Sequence, residues 1–226
     1  MVNNEYDAIV IGSGISGGWA AKELTEKGLR TIMLERGRDV AHVRDYPSAN
    51  KNPWEFQYRG EHSVKMKEDY AILNRTYLLD ERTLDFWVNE KENPYVENKR
   101  FDWFRGYQVG GRSLTWGRQS YRLSDLDFEA NLKDGHGVDW PIRYKDIAPW
   151  YSYAEKWAGI SGNRDGLDVL PDGEFLPPMD MNIVEKDLAA RIRHHYGGKR
   201  HFIIGRVANL TVPPSGSREL PVPEQL

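Results

Sequence analysis

Three glycines in Gly12-Ser13-Gly14-Ile15-Ser16-Gly17 separate a short apolar run from a helical pattern, and no other stretch restricts the fold as tightly. Residues Tyr6–Ile11 are β-prone and stop at Gly12, as a doubly buried parallel strand does. From Ile15 to Lys27 the positions Ile15, Trp19, Ala20 and Leu24 recur at helical spacing until Gly28 ends the pattern. Arg30–Glu35 reads as a second strand, closed by Gly37. Strand, glycine turn, helix and strand make a βαβ unit, which predicts an α/β fold with parallel pairing. In such a unit Gly12 allows the tight turn, Gly14 lets backbone amides approach a pyrophosphate, and Gly17 with Ala21 lets the helix lie close to the sheet. The first amides of the helix, at Ile15 and Ser16, face the phosphates. Glu35, at the end of the second strand, can accept hydrogen bonds from both hydroxyls of a ribose without a 2′-phosphate. NAD and FAD share that adenosine diphosphate half, so these residues leave both open.

The rest of the composition narrows the classes. The 226 residues are enough for one large domain, or for a domain and part of another. With 39% apolar and 29% charged residues and a mean hydropathy of −0.69, the chain reads as globular rather than disordered. Its longest apolar run, Ala8–Ile11, is far short of a membrane span, and the first residues lack a secretory pattern, so a cytoplasmic protein is expected. Zero cysteine excludes disulfides, thiolate metal sites, iron–sulfur clusters and a cysteine nucleophile within this chain. A balance of 31 basic against 34 acidic side chains leaves no footprint for nucleic acid or anionic lipid. Small molecules are the expected partners.

Further along, residues 38–105 mix Pro, Asn and charges with aromatics such as Trp54, Trp87 and Trp103, a lid-like excursion expected to hold short elements. A helix is expected over 144–157, ended by Gly159, after the entry signal Asp139-Trp140-Pro141. Residues 163–178 read as a linker, 180–195 as a helix, and 201–204 as a strand; the tail from Pro213 carries four prolines and no periodicity. A second glycine-rich segment, Val109-Gly110-Gly111-Arg112-Ser113-Leu114-Thr115-Trp116-Gly117, can wrap closely round a flat cofactor, with Arg112 and Arg118 free to face phosphates. His194, His195 and His201 are read as surface or core residues, and no metal site is expected.

The stretch Tyr6–Gly14, ending in Leu34-Glu35-Arg36-Gly37, resembles the opening of the glucose-methanol-choline (GMC) flavoprotein oxidoreductases, and Val109–Ser113 resembles their second flavin-binding segment. Asp139–Tyr151 and Ala154–Gly162 are similar to a stretch shared by the gluconate-dehydrogenase and pyranose-oxidase branch. The resemblance implies a Rossmann-like FAD-binding domain, with Glu35 on the adenosine ribose, Arg36 among the cofactor-binding residues, and Gly110, Gly111, Arg112, Ser113, Trp116 and Gly117 near pyrophosphate and isoalloxazine. It implies hydride transfer from an alcohol or sugar CH–OH group to FAD. Some relatives attach the flavin through a histidine in the second segment where Thr115 stands here, so non-covalent FAD is expected. The resemblance further implies residues 1–165 as the N-terminal part of the FAD-binding domain, and 166–226 as a linker and the start of a substrate-binding domain. The family's catalytic His-His or His-Asn pair lies near the C-terminus of longer chains, and none of the six histidines matches that motif, so the fold is expected to be incomplete and no catalytic base is assigned. Self-association or a completing chain would follow. Past Thr211 the likeness stops. Codons able to encode Ser217–Glu224, read one nucleotide later, can give a family-like continuation, so a shifted reading frame is expected there. Two alternatives stand beside this reading: a non-catalytic flavin- or nucleotide-binding module, and an NAD-dependent dehydrogenase.

Overall fold

A computed structural model describes residues 5–213. The expectation of a shifted frame after Pro213 lies outside the described residues. The chain divides into two compact units, one running to Trp116 and the other starting at Gly117.

The first unit opens with the βαβ arrangement read from the sequence: β1 (Ala8–Ile11), α1 (Ile15–Glu26) and β2 (Thr31–Leu34). The strands pair in parallel, in the register Ala8↔Thr31 to Ile11↔Leu34. Alternation along β1 buries Val10 on one side and leaves Ile9 and Ile11 exposed on the other, the second by 85%. Residues 38–105 carry a short helix α2 (Val64–Asp69), capped by the Ser63 side chain, and three 3₁₀ turns. Here lies a hydrophobic cluster of Leu73, Leu79 and Trp87, with Tyr70, Leu78, Leu84 and Phe104 packed round it. The chain then returns to the βαβ unit. Tyr107–Val109 runs parallel to the extension of β2, with Arg38 N–H donating to the Tyr107 carbonyl (3.2 Å) and Val109 N–H to that of Arg38 (2.9 Å).

The second unit holds the short α3 (Asp125–Phe128) and α4 (Ala130–Asp134), then α5 (Tyr144–Ala158), β3 (Ile160–Ser161), α6 (Ile183–His195) and β4 (Val207–Ala208). Helix α5 stops at Gly159 in the left-handed conformation, φ +67°, where glycine carries no penalty. Arg122 anchors α5: its guanidinium grips the Glu155 carboxylate at 2.7 and 2.6 Å and donates to Tyr144 Oη and Ser152 Oγ. Burial opposes that charge, but the bonds to Glu155 and Tyr144 hold the guanidinium above its usual range.

Two expectations change. The strand read at 201–204 is not formed, and β4 lies at Val207–Ala208 instead, antiparallel to β3. The physical reason is Arg206, fully buried, whose guanidinium donates to the Pro171 carbonyl (2.6 Å) and to Asp172 (2.9 Å). Backbone bonds from Ser120 to Arg206 and from Ala208 to Arg118 fix the other side of the segment. That polar anchor sets the pairing, while the more apolar 201–204 stays unpaired. Residues 163–178, read as a linker, are tied down by the same group, because Asp172 also accepts from the amides of Asp165 and Gly166.

Candidate functional site

The turn after β1 begins with Gly12 at φ +89°, its N–H donating to the Leu34 carbonyl at 2.7 Å. A Cβ at Gly17 would overlap the Gly12 carbonyl, so only glycine lets α1 start so close to the strand. Gly14, by contrast, faces open space, with nothing within 4 Å of a Cβ built there. It is also the N-cap of α1, with no side-chain cap. The first intrahelical bond is Gly18 N–H to the Gly14 carbonyl, so the amides of Ile15, Ser16 and Gly17 have no carbonyl acceptor within the helix. Such a helix start favours a negatively charged group.

Glu35 holds this loop in place. One carboxylate oxygen accepts from both the Ser13 N–H (2.7 Å) and the Ser13 hydroxyl (2.6 Å), and the other from Gly37 N–H (2.8 Å). The Ser13 hydroxyl and amide, with the Gly37 amide, pull the carboxyl down to about 2. The backbone of Arg36 adds to this lowering. The two ribose hydroxyls expected from the sequence therefore meet a carboxylate already turned onto its own loop by Ser13 and Gly37.

The second glycine segment packs against the first. Gly110 N–H donates to Ser13 Oγ at 2.9 Å, so the hydroxyl that bonds Glu35 also holds a residue 97 positions beyond Ser13. A Cβ at Gly111 would lie 3.3 Å from Gly14 Cα. Gly110 and Gly111, at φ +84° and +52°, lead into a 3₁₀ turn over Gly111–Leu114, in which Ser113 Oγ donates to the Gly110 carbonyl. This turn brings Arg112 to the loop. Ile11, the Gly12–Gly17 turn and Arg112 line a hollow of about 350 Å³. Arg36 stacks its guanidinium 3.6 Å above the Tyr107 ring. Trp116 is exposed and lies outside the lining of this hollow, and Gly117 belongs to the second unit.

One contributor, Gln108, has no place in the sequence reading, and it packs against Gly37, which has. Gln108 is buried, its side-chain amide donating to the carbonyls of Phe86 and Gly111. Gly37 lies so near Gln108 that a Cβ would overlap its backbone. Gly37 is visible in the sequence as punctuation after the second strand. Gln108 carries no local signal, because its partners are distant in the chain.

Comparison with known proteins adds the chemical context. No family model matches the chain. It is 29% identical over 155 residues to an oxygen-dependent choline dehydrogenase of Xanthomonas axonopodis pv. citri, covering 68% of this chain and 24% of that one. It is 27% identical to a 2-methyl-1,2-propanediol dehydrogenase of Mycolicibacterium austroafricanum, over 74% and 28% of the two chains. It is 28% identical to the fructose dehydrogenase large subunit of Gluconobacter japonicus, over 77% and 31%. The matched region is thus between about a quarter and a third of the length of these relatives. Their names are those of alcohol and sugar dehydrogenases, and it is to a part of such proteins that this chain is similar.

Proposed function

We propose that this chain is the FAD-binding portion of a GMC-type oxidoreductase acting on the CH–OH group of an alcohol or sugar. The observation that carries the reading is the convergence of the two glycine segments, Gly110 on Ser13 and Gly111 on Gly14, round one hollow at the start of α1. The residues present fit a dinucleotide there. Gly14 leaves open space where a diphosphate must approach, the first amides of α1 offer donors, and Arg112 offers a cation. Glu35 keeps the loop in shape at the end of β2, where the adenosine ribose would lie. Gly110, Gly111 and Ser113 hold the second segment against the Gly12–Gly17 loop.

FAD bound here supplies the hydride acceptor for oxidation of the alcohol carbon. Thr115 in place of the histidine used by some relatives makes the attachment non-covalent. No residue of this chain is assigned the base that takes the hydroxyl proton. The names of the relatives, with choline, a diol and fructose among them, support a small hydroxylated substrate.

The test is the visible spectrum of the purified protein, mixed with FAD and passed through a desalting column. Retained flavin, released intact by acid denaturation, is the expected result. Loss of all flavin on the column would overturn the proposal. Anaerobic addition of an alcohol and sugar panel then separates a complete active site, which bleaches the flavin band, from a binding portion, which does not.

A further inference from the structure

A second hollow, in the other unit and of about 880 Å³, has a character unlike the first. Helix α6 forms one wall with Lys186, Ala189, Ala190 and Arg193. At 100° per residue these four share one face, and Lys186 and Arg193 stand two turns apart, about 10 Å along the axis. The two alanines between them are short, so two long cations flank a recess. His194 and His201 extend the same rim. Phe202, Ile203 and Ile204, the segment left without strand pairing, supply an apolar wall.

The full charges lining this recess leave an excess of one cation. Two acids, Asp165 and Asp180, share the lining with three full cations, Arg164, Lys186 and Arg193. The Asp165 carboxylate faces the buried Arg206 guanidinium at 3.7 Å. Neither Lys186 nor Arg193 has an ion-pair partner among the described residues, whereas Arg191, on another face of α6, pairs with Asp187 at 2.7 Å. Arg193 and His194 in the last turn complement the helix dipole. Lys186, near the start of the helix, opposes that dipole, so dipole stabilisation does not account for it.

We infer that this hollow is a binding site for an organic phosphate, its dianionic group held between Lys186 and Arg193 and its apolar part against Phe202 and Ile204. Two full positive charges match a doubly charged group, and the apolar wall adds area that inorganic phosphate cannot use. This site is independent of the FAD reading, since every residue in it lies in the second unit.

Phenyl phosphate, titrated calorimetrically into the full chain, is the probe. Saturable binding is expected, weakened about tenfold or more in the K186Q/R193Q double variant, in line with the loss of charged hydrogen bonds. R191Q, which removes a cation from the same helix outside the recess, should bind as the parent does. Phe202→Ala should lower the preference for phenyl phosphate over inorganic phosphate while leaving inorganic phosphate binding unchanged. Circular dichroism and urea midpoints matching the parent establish that each variant is folded. Absence of saturable binding by the folded parent, undiminished binding in the folded double variant, or an equal loss in R191Q would overturn the inference. Benzoate binding more tightly than phenyl phosphate would also overturn it, because the recess would then prefer a single charge.

Discussion

Within the Gly12–Gly17 loop the three glycines do separate tasks, and substitution tells them apart. Gly14 faces open space with ordinary negative φ, whereas Gly17 touches the Gly12 carbonyl. Gly14→Ala should therefore fold with an unchanged urea midpoint yet lose FAD, its methyl standing where the diphosphate approaches. Gly17→Ala should lose about 1–3 kcal/mol of stability, because α1 must move off the strand. Equal unfolding midpoints for the two variants would contradict this division. Glu35 gives a pH signature. Its carboxyl is near 2 when folded and near 4.5 when free, so it stabilises the fold above the free value and that contribution drains away as pH falls from about 4.5 toward about 2. In Glu35→Gln the acid limb of a stability–pH profile should flatten, measured by urea unfolding at each pH. The glycines and Glu35 were legible because their signal is local. The inward turn of Glu35 was not, since it depends on Ser13 and Gly37 closing round it.

At the level of elements, α1, α5 and α6 were readable from apolar periodicity and from the glycines or caps that bound them. The strand at 201–204 was misread for a definite reason. Its residues are β-prone, but pairing in this unit is settled by a buried arginine that no periodicity reveals. Buried charge also secures α5. Arg122→Met would strand the Glu155 carboxylate without its main partner and should cost about 3–5 kcal/mol by chemical denaturation. R122M/E155M should recover part of that loss, since replacing both partners leaves no uncompensated charge. A double variant no more stable than R122M would show that packing round Arg122, rather than its charge, holds the helix.

Seen as a whole, the chain keeps its tightest apolar packing away from the fold its sequence announces. Leu73, Leu79 and Trp87 are buried inside residues 38–105, while Ile9, Ile11 and Leu34 of the β1–β2 pair remain exposed, as parallel strands do not ordinarily. An apolar sheet face of this kind favours association. The apparent mass by light scattering should rise with concentration, and Ile11→Lys, which charges the most exposed position of that face, should suppress the rise. The βαβ arrangement and its glycine turn were legible because both are written within one short stretch. Where the hydrophobic cluster forms was not, because aromatic residues among prolines and charges carry no period.

The single hydroxyl that joins Gly110 to the first loop spans 97 positions of sequence, whereas the Leu73–Trp87 cluster closes over a much shorter stretch. Short loops close at smaller entropic cost, so the cluster is expected to form before the contact between Gly110 and Ser13. In pulse-labelled hydrogen exchange the amides round Leu73 should gain protection first and the Gly110 amide late. Late protection at Gly110 would mean that whatever occupies the hollow beside Gly14 selects chains already folded rather than building them.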